Sequence, residues 1–333
     1  EDEIAAIGML AGASFAGGKP MTSTAGPGLS LMTEAIGLAT TAELPMVVVD
    51  CQRTGPSTGI PTKPEQSDLY QALFSAHGDA PRVVMAPIDV PDSFRVAIEA
   101  FNIAEAYQTP VVVLSDQLIA QRKVSIERID PKQIAVVERR KPTPADLERY
   151  ERFKMTADGV SPMAIPGMRG GAYVAAGIEH NELGDPTSSG DVHERMNEKR
   201  ISKLEPLRER GDLVLRFGRE DARVGVLSWG STVSALREVL DVLAEKGRHF
   251  KILAPSEPIK CTPDTTVQAA ILEMAEKRRA AVVVVDREGA LQGIFTERDL
   301  LRRVAVPGRD PKSTPLSDVM THDPESLGPD TLI

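Results

Sequence analysis

Cysteine is scarce in this chain of 333 residues, which contains only Cys51 and Cys261. A disulfide scaffold would need more cysteines, and an iron–sulfur cluster needs about four ligands. We therefore expect two free thiols in a reducing cytoplasm. If electrons pass through a cluster during the function of this protein, another chain must hold that cluster.

Aromatic residues, positive charge and long apolar runs are also limited. Phe, Trp and Tyr make up 4% of the chain against 41% for all hydrophobic residues, so the cores must be aliphatic. The net charge of −9 argues against a nucleic-acid partner. No apolar run approaches the roughly 20 residues of a membrane span, so we expect no membrane association.

The first third of the chain alternates apolar runs with helical patterns. Strand patterns occupy 19–28, 44–53, 82–89 and 109–117, and helical patterns occupy 4–18, 29–43, 65–77 and 91–108. Nearly continuous apolar runs are typical of strands that are buried on both faces of a parallel sheet. The repeated strand–helix units predict an α/β domain with such a sheet.

An arginine and a loop rich in Gly and Pro follow the strand pattern at 44–53. Ligands of parallel sheets bind outside the carboxyl ends of the strands, where Arg53 and a Gly26-Pro27-Gly28 turn are expected. A guanidinium group can bind a carboxylate through two parallel hydrogen bonds, and Thr58 adds a hydroxyl group. On spacing alone, an arginine in an ordinary surface loop remains the alternative.

Four segments closely resemble the alpha subunit of 2-oxoacid:ferredoxin oxidoreductases, especially of the 2-oxoglutarate type. They are EDEIAAIGMLAGASFAGGKPMTSTAGPGLSLMTEAIGLA, QRTGPSTGIPTKPEQSDL, DGVSPMAIPG and GIEHNELGDPT, and the resemblance extends roughly to residue 245. It implies a thiamin-diphosphate enzyme whose pyrimidine-binding domain is residues 1–121. This family oxidatively decarboxylates a 2-oxoacid in the presence of coenzyme A, which gives acyl-CoA and reduced ferredoxin.

The resemblance also implies roles for individual residues. Glu3 matches the catalytic glutamate, whose carboxylate bonds to N1′ of the aminopyrimidine and favours the imino form that removes the C2 proton. Gly26 and Gly28 are expected at the cofactor, and Arg53 and Thr58 at the carboxylate of the substrate. The alternative for Glu3 is an acidic residue in the first turn of a helix, which the helix dipole favours and which Asp2 fits equally well.

Other parts of the family's site are expected on different segments. A threonine-containing segment precedes the glutamate in the family and would lie before Glu1. The diphosphate–Mg²⁺ motif, the iron–sulfur cysteines and much of the coenzyme A chemistry belong to a beta subunit, so this chain alone should not turn over. No metal site is expected here, and Glu179, His180 and Glu182 are interpreted as a polar loop.

The middle of the chain predicts a connector followed by a partial domain. Residues 122–221 are charged and interrupted by proline, with a short helix around 144–152 and a charged helix near 200. Residues 222–255 predict a strand, a glycine turn, a helix and a second strand, the start of a truncated α/β unit. A two-stranded remnant leaves its edges unpaired, so we expect it either to be the least stable ordered part or to rest on a neighbour.

Residues 256–333 resemble an α+β cystathionine-beta-synthase-type (CBS) domain and the start of a second copy. Such domains commonly bind adenine nucleotides in pairs, and Thr296 and Asp299 fall in the G-x-x-T-x-x-D segment that contacts ribose and phosphate. The same two residues also suit a helix N-terminus without a ligand. A nucleotide-sensing CBS module on an inactive scaffold is therefore the alternative to the enzyme component, and an inert chimeric fragment is a third interpretation.

Overall fold

The computed structural model divides into two compact units, Glu1–Ser256 and Glu257–Ile333. The residues that it describes are 2–130, 132, 134–219, 221–222, 224–245, 250–255, 260–261, 266–276, 281–285, 291–296, 300–305 and 309–322. Each unit is treated by itself below. No helix among these residues is both long enough and apolar enough to cross a membrane.

A four-stranded parallel sheet forms the centre of the N-terminal unit. Its strands are β1 (Met21–Thr24), β2 (Met46–Gln52), β3 (Val83–Met85) and β4 (Pro110–Asp116), in the order β1-β2-β4-β3. Each of the two central strands carries a run of three or more apolar residues, and all seven residues of β4 are buried. The expected α/β domain with a parallel sheet is confirmed.

Helices cover both faces of this sheet. They are α1 (Glu3–Phe15), α2 (Gly26–Thr41), α3 (Leu69–Phe74), α4 (Val90–Tyr107) and α5 (Gln117–Gln121). Val48 and Val112 belong to the core that contains α1 and α2, whereas Val47 and Val111 belong to the core that contains α4. This alternation follows from the two-residue period of a strand, and it explains why both faces need aliphatic side chains.

The expected Gly26-Pro27-Gly28 turn is instead the first turn of α2. Proline suits this position because the first N–H groups of a helix need no intrahelical partner. Gly28 is required by a close approach, since a methyl group added there would lie 2.0 Å from Thr24 Oγ1. The helix α3 is also shorter than the predicted 65–77.

The charged connector packs against the first domain. Its expected helix around 144–152 is a single 3₁₀ turn, Asp146–Glu148, and its charged helix is α6 (Gly190–Ser202). Arg139 forms a buried ion pair of 2.8 Å with Glu105 on α4. Residues 122–199 thus belong to the compact N-terminal unit rather than to a free linker.

The truncated α/β unit contains three strands, so the prediction of a two-stranded remnant is wrong. The strands are β5 (Val214–Gly218), β6 (Val224–Leu227) and β7 (Phe250–Pro255), joined by α7 (Thr232–Glu245), in the order β5-β7-β6. β5 comes from the expected connector and pairs antiparallel with β7, which covers one edge. Val233, Ile252 and Ala254 pack with Ile88 of the first domain, so this unit rests on a neighbour as expected.

The C-terminal unit is a small α+β structure, as expected. It contains β8 (Lys260–Cys261), α8 (Val267–Glu276), β9 (Ala281–Val285), β10 (Leu291–Thr296) and β11 (Thr321–His322), in the sheet order β11-β10-β9-β8. Its core includes Val267, Val284 and Phe295. Thr296 ends β10 opposite Ala281, whereas Asp299 lies outside the described residues.

Candidate active site

The carboxyl ends of three parallel strands meet at one edge of the N-terminal sheet. β1 ends at Thr24, β2 ends at Gln52 and β4 ends at Asp116. Arg53 directly follows β2, and α2 begins two residues after β1. The structure therefore brings Arg53 and the Gly26–Gly28 segment to the ligand-binding edge of the sheet.

A cleft of about 420 Å³ lies at this edge. Residues from α2, from the loop after β2 and from α3 line it: Gly26, Pro27, Ser30, Arg53, Gly55, Pro56, Ser57, Glu65, Ser67, Asp68 and Gln71. Arg53 is the single cation in this lining. The cleft is open on one side and presents both polar and apolar surface, and its guanidinium group suits an anion.

Arg53 is available to such an anion. Its Nε atom is buried and receives no hydrogen-bond acceptor from the part of the chain that the structure describes. A buried guanidinium N–H without an acceptor is unfavourable, and a bound carboxylate would supply that acceptor. This geometry favours an anion-binding arginine over an ordinary surface arginine.

The loop after β2 has a defined shape. Thr54 N–H donates to the carbonyl of Lys63 at 3.0 Å, and Ile60 N–H donates to the carbonyl of Thr54 at 3.1 Å. Gly59 has φ +54°, and a methyl group there would lie 1.7 Å from the Thr54 carbonyl oxygen. This position therefore accepts only glycine, and the loop closes on itself behind Arg53.

Thr58 is exposed at the tip of this loop and does not line the cleft, whereas its neighbour Ser57 does. A contact between Thr58 and a substrate therefore stays a prediction. Sequence reasoning missed Ser57 because two adjacent hydroxyl residues carry the same signal, and only the turn of the loop distinguishes them.

Glu3 lies at the same helix terminus from the other side. A methyl group added at Gly28 would lie 2.9 Å from Glu3 Oε1, which shows how closely the carboxylate approaches the start of α2. Asp2, not Glu3, caps α1, because Asp2 Oδ1 accepts hydrogen bonds from the N–H groups of Ile4 and Ala5. Glu3 does not line the cleft of Arg53, although Glu3 approaches Gly28 and the first residues of α2, Gly26 and Pro27, line that cleft.

Gly26 lies next to Asp68, which lines the cleft and forms with Asp50 a pair of acids that sequence reasoning did not single out. A methyl group at Gly26 would lie 2.8 Å from Asp68 Oδ2. Asp50 on β2 is fully buried, and burial together with Asp68 raises the pKa of Asp50 to about 8. An acidic residue inside the apolar run MVVVDC was the available signal.

Gln66 ties the cleft loop to the truncated α/β unit. Its Nε2 group donates to Asp116 Oδ2 at 3.0 Å, and its Oε1 atom accepts from the Thr232 hydroxyl at 2.8 Å. Gly230 has φ +63°, and a methyl group there would lie 2.2 Å from Gln66 Nε2. The loop is therefore positioned by the turn before α7 as well as by its own hydrogen bonds.

The polar loop at 179–182 uses its side chains in protein contacts. The ring centroids of His180 and Phe153 lie 3.9 Å apart, with the two ring planes tilted by 46°. Glu179 pairs with Arg200 at 3.0 Å, and Glu182 accepts from the N–H of Met155 at 2.9 Å. Over the described ranges, no group of three His, Cys, Asp or Glu residues could hold a metal ion.

Two family models match this chain. The first, described as pyruvate flavodoxin/ferredoxin oxidoreductase, thiamine diP-binding, matches residues 1–199. The second, the CBS domain, matches residues 251–306. The expected resemblances of both parts of the chain are confirmed.

Relatives and a solved structure agree with these matches. Subunit alpha of 2-oxoacid:ferredoxin oxidoreductase 2 from Aeropyrum pernix is 41% identical over 254 residues, which cover 74% of this chain and 39% of the relative. The 2-oxoglutarate synthase subunit KorA from Methanothermobacter thermautotrophicus is 33% identical over 328 residues, 98% of this chain and 83% of the relative. The 2-oxoglutarate:ferredoxin oxidoreductase of Magnetococcus marinus, with 2-oxoglutarate, coenzyme A and succinyl-CoA bound, superposes with a TM-score of 0.75 and 36% identity, covering 92% of this chain and 56% of that one.

The chain spans about two fifths of the length of the first of these relatives. The match over residues 1–199 nevertheless includes the whole parallel sheet, Glu3 on α1 and the cleft of Arg53. The chain belongs to the thiamine-diphosphate-binding family of the pyruvate flavodoxin/ferredoxin oxidoreductases.

Proposed function

We propose that this chain is the pyrimidine-binding alpha component of a 2-oxoacid:ferredoxin oxidoreductase, with 2-oxoglutarate as the substrate. The observation that carries the proposal is Arg53, a cation whose buried Nε has no acceptor among the described residues and which lines the cleft at the ligand edge of the sheet. The relatives and the solved structure support the 2-oxoglutarate type by their names.

The proposed reaction balances with two one-electron acceptors. A 2-oxoacid, coenzyme A and two oxidised ferredoxins give acyl-CoA, CO₂, two reduced ferredoxins and a proton. The carbon–carbon bond to the carboxylate breaks, and a thioester bond forms. The substrate is anionic, so its first requirement is a cation such as Arg53.

The residues at the start of α2 fit thiamin diphosphate. Glu3 is free to accept a hydrogen bond from N1′ of the aminopyrimidine, because Asp2 already caps α1 and no described residue bonds to the Glu3 carboxylate. The bound cofactor would supply the electron sink that decarboxylation of a 2-oxoacid needs. Gly26 and Gly28 would let the cofactor ring approach the helix backbone.

We assign the remaining cofactors and partners to other chains. With two cysteines, this chain has too few thiolates for an iron–sulfur cluster, which takes about four. We therefore propose that a beta subunit holds the cluster and the Mg²⁺-bound diphosphate, accepts coenzyme A and passes electrons to ferredoxin. The two isolated cysteines also suit a reducing cytoplasm.

The direct test is reconstitution. The chain would be mixed with a beta subunit, thiamin diphosphate, Mg²⁺, coenzyme A and 2-oxoglutarate, and reduction of a viologen dye would be followed. We expect dye reduction only when both subunits and the 2-oxoacid are present. An assembled complex that reduces no dye with 2-oxoglutarate, pyruvate or another 2-oxoacid would refute the assignment.

A second activity is proposed for the C-terminal unit, because residues 251–306 match the CBS domain. We propose that this unit binds an adenine nucleotide and that Thr296 and Asp299 contribute to the contact. Titration calorimetry of the full chain with AMP and ATP tests this. Absence of heat with both nucleotides, also after assembly with a beta subunit, would reject the nucleotide site.

A further inference from the structure

Asp50 occupies an unusual position in the N-terminal sheet. It pairs in register with Thr24 on β1, so both side chains emerge on the face where α2 begins. The Asp50 side chain is fully buried, and neither carboxylate oxygen receives a hydrogen bond from a donor in the described chain. An ionised carboxylate is strongly disfavoured in such a place.

Asp68 is the partner that makes this position tolerable. Asp68 ends the cleft loop, lines the cleft, and has a buried Oδ2 atom without a donor. Its backbone N–H donates to Gln52 Oε1 at 3.1 Å, which holds the residue beside β2. Asp68 Oδ1 accepts a hydrogen bond from the Ser67 hydroxyl at 3.3 Å, which leaves Asp68 Oδ2 and both oxygens of Asp50 without a donor among the described residues. Two neighbouring carboxyl groups of this kind are compatible when one keeps its proton and donates it to the other. Burial, followed by the charge of Asp68, raises the pKa of Asp50 to about 8.

We propose that Asp50 and Asp68 form a positioning pair that shares one proton. Together the two carboxyl groups then carry one negative charge instead of two, which lets Arg53 bind an anionic 2-oxoacid. The identity of the anion rests on the proposed function. The pair itself rests on the buried, donor-free oxygens and on the position of Asp68 in the lining of the cleft. Loss of the shared proton would add a negative charge next to the single cation of that lining.

The ionisable groups around the pair are mainly acidic, so they cannot compensate a second charge. Cys51 lies next to Asp50 on β2. Burial is the main cause that raises the pKa of its thiol, and the charges of Asp50 and Asp116 raise it further. Glu65 faces the cleft together with Arg53. The Glu3 side chain, from α1, and Thr24 both approach Gly28 in the first turn of α2. Arg53 is thus the cation whose binding strength depends on the protonation of the pair.

The first experiment uses the full chain alone and needs no turnover. Urea unfolding would be followed between pH 5 and pH 9 through Trp229, the single tryptophan, which packs against the core of the first domain. The folded pair keeps a proton that an unfolded aspartate releases near pH 4, so its contribution to stability is lost as the pH rises towards about 8. We expect the ratio of the wild-type and Asp50→Asn unfolding constants to change by up to about tenfold per pH unit below pH 8.

Asp79→Asn is the matched control, because it removes an exposed carboxylate of the same unit that does not line the cleft. The control should follow the wild type at every pH. Equal pH dependence of the wild type and Asp50→Asn would overturn the pair. If Asp50→Asn does not fold, the infrared spectrum of the wild type decides: a protonated carboxyl band that is present at pH 6 and lost by pH 9 supports the pair, and no such band refutes it.

The second experiment tests the effect on Arg53. In the reconstituted complex we expect the KM for 2-oxoglutarate to rise roughly tenfold between pH 7 and pH 9, because Asp68 lines the same cleft as Arg53 and the pair would gain a negative charge. This rise should be absent in Asp50→Asn, while kcat follows the wild-type pH profile. A wild-type KM that is constant through pH 8 would overturn the positioning role.

Failure of the proposed function can be told apart from failure of the pair. If the complex shows no turnover, titration of Trp229 fluorescence with 2-oxoglutarate at pH 7 and pH 9 makes the same comparison on the chain alone. Tighter binding at pH 7 supports the pair, and equal binding at both pH values counts against it. Absent binding at both pH values counts against the proposed function. The unfolding experiment reports on the shared proton in either case.

Discussion

Asp2 and Glu3 are adjacent acids at the start of α1, and the fold gives them different environments. Asp2 accepts hydrogen bonds from two N–H groups of the first turn at 3.0 and 3.2 Å, whereas Glu3 lies against Gly28 and Thr24. Asp2 therefore has the capping role that the sequence left open for both acids. Glu3 has no such role, and its carboxylate lies near the start of α2, where we propose that it acts on the cofactor.

We predict that Glu3→Gln abolishes dye reduction by the reconstituted complex and leaves the chain folded. Glutamine keeps the shape but lacks the charge that would favour the imino form of the cofactor, so the rate should fall by about 10²- to 10⁴-fold. The viologen assay measures this loss, and circular dichroism measures folding. Asp2→Ala is the control: it should cost about 1 kcal/mol of stability through the lost cap and leave turnover per folded molecule intact. Normal turnover in Glu3→Gln would remove Glu3 from the mechanism.

A second prediction concerns Arg53. Arg53→Ala should raise the KM for 2-oxoglutarate by about 10- to 100-fold, since a hydrogen bond to a charged group contributes about 1.5–3 kcal/mol. Lys63→Ala is the matched control, because it removes an exposed positive charge from the same loop without touching the cleft lining. Steady-state kinetics would separate the two. An unchanged KM in Arg53→Ala would show that Arg53 does not bind the substrate.

At the scale of elements, the start of α2 is the feature around which the site is arranged. Glu3 approaches it from α1, Asp68 approaches it from the loop after β2, and Arg53 lines the cleft beside it. The helix can begin this close to its neighbours because Gly26 and Gly28 have no side chains. Small residues here serve close packing rather than chain flexibility.

We therefore predict opposite effects for two glycines of the same helix. Gly28→Ala would place a methyl group 2.0 Å from Thr24 Oγ1 and 2.7 Å from Glu3 Cγ, so it should lower both the melting temperature and turnover. Gly37→Ala has no atom within 4 Å of the new methyl group and should stabilise α2 by about 0.5–1 kcal/mol. Thermal unfolding compares the two variants. A Gly28→Ala chain as stable and active as Gly37→Ala would contradict the close approach of Glu3.

At the scale of the whole N-terminal unit, a buried charge cluster joins α2 to the connector. Glu43, just after α2, accepts hydrogen bonds from Lys199 and from Lys203, the latter at 2.9 Å, and all three side chains are buried. The backbone carbonyl of Glu43 also accepts from Arg152 at 2.9 Å. Burial opposes the charge of Glu43, but the two lysines outweigh it and hold the pKa of this carboxyl far below its usual range.

We predict that Glu43→Gln destabilises this unit by about 3–5 kcal/mol, because it leaves two buried ammonium groups without a countercharge. Since the folded-state pKa of Glu43 is lowered, its contribution is present at neutral pH and is lost as the pH falls below the unfolded value of about 4.3. Urea unfolding followed by Trp229 fluorescence would measure the difference. Glu148→Gln, at an exposed position of the connector, should change stability little. A Glu43→Gln chain as stable as the Glu148→Gln control would show that the cluster does not hold the connector.

The sequence predicted the parallel sheet because apolar runs such as MVVVDC report burial on both faces directly. It predicted Arg53 at the ligand edge because that position follows from the end of a strand. It mistook Gly26–Gly28 for a turn, since a proline near a helix start and a proline in a turn have the same local signal. The pairing of β5 with β7 and the shape of the connector depend on contacts between distant residues, which no local pattern carries.

Composition, apolar periodicity and the segments around Glu3 and Arg53 were enough to determine the class of fold, the family and the two residues most involved in the proposed chemistry. Tertiary structure alone decided that Asp2 caps α1 while Glu3 finds no hydrogen-bond partner among the described residues, that Ser57 rather than Thr58 lines the cleft, and that the charge of Asp68 acts on the buried Asp50. These outcomes depend on which side chains converge at the start of α2. Convergence of residues distant in sequence is set by packing between elements, whereas the patterns along a chain report only the burial of each element by itself.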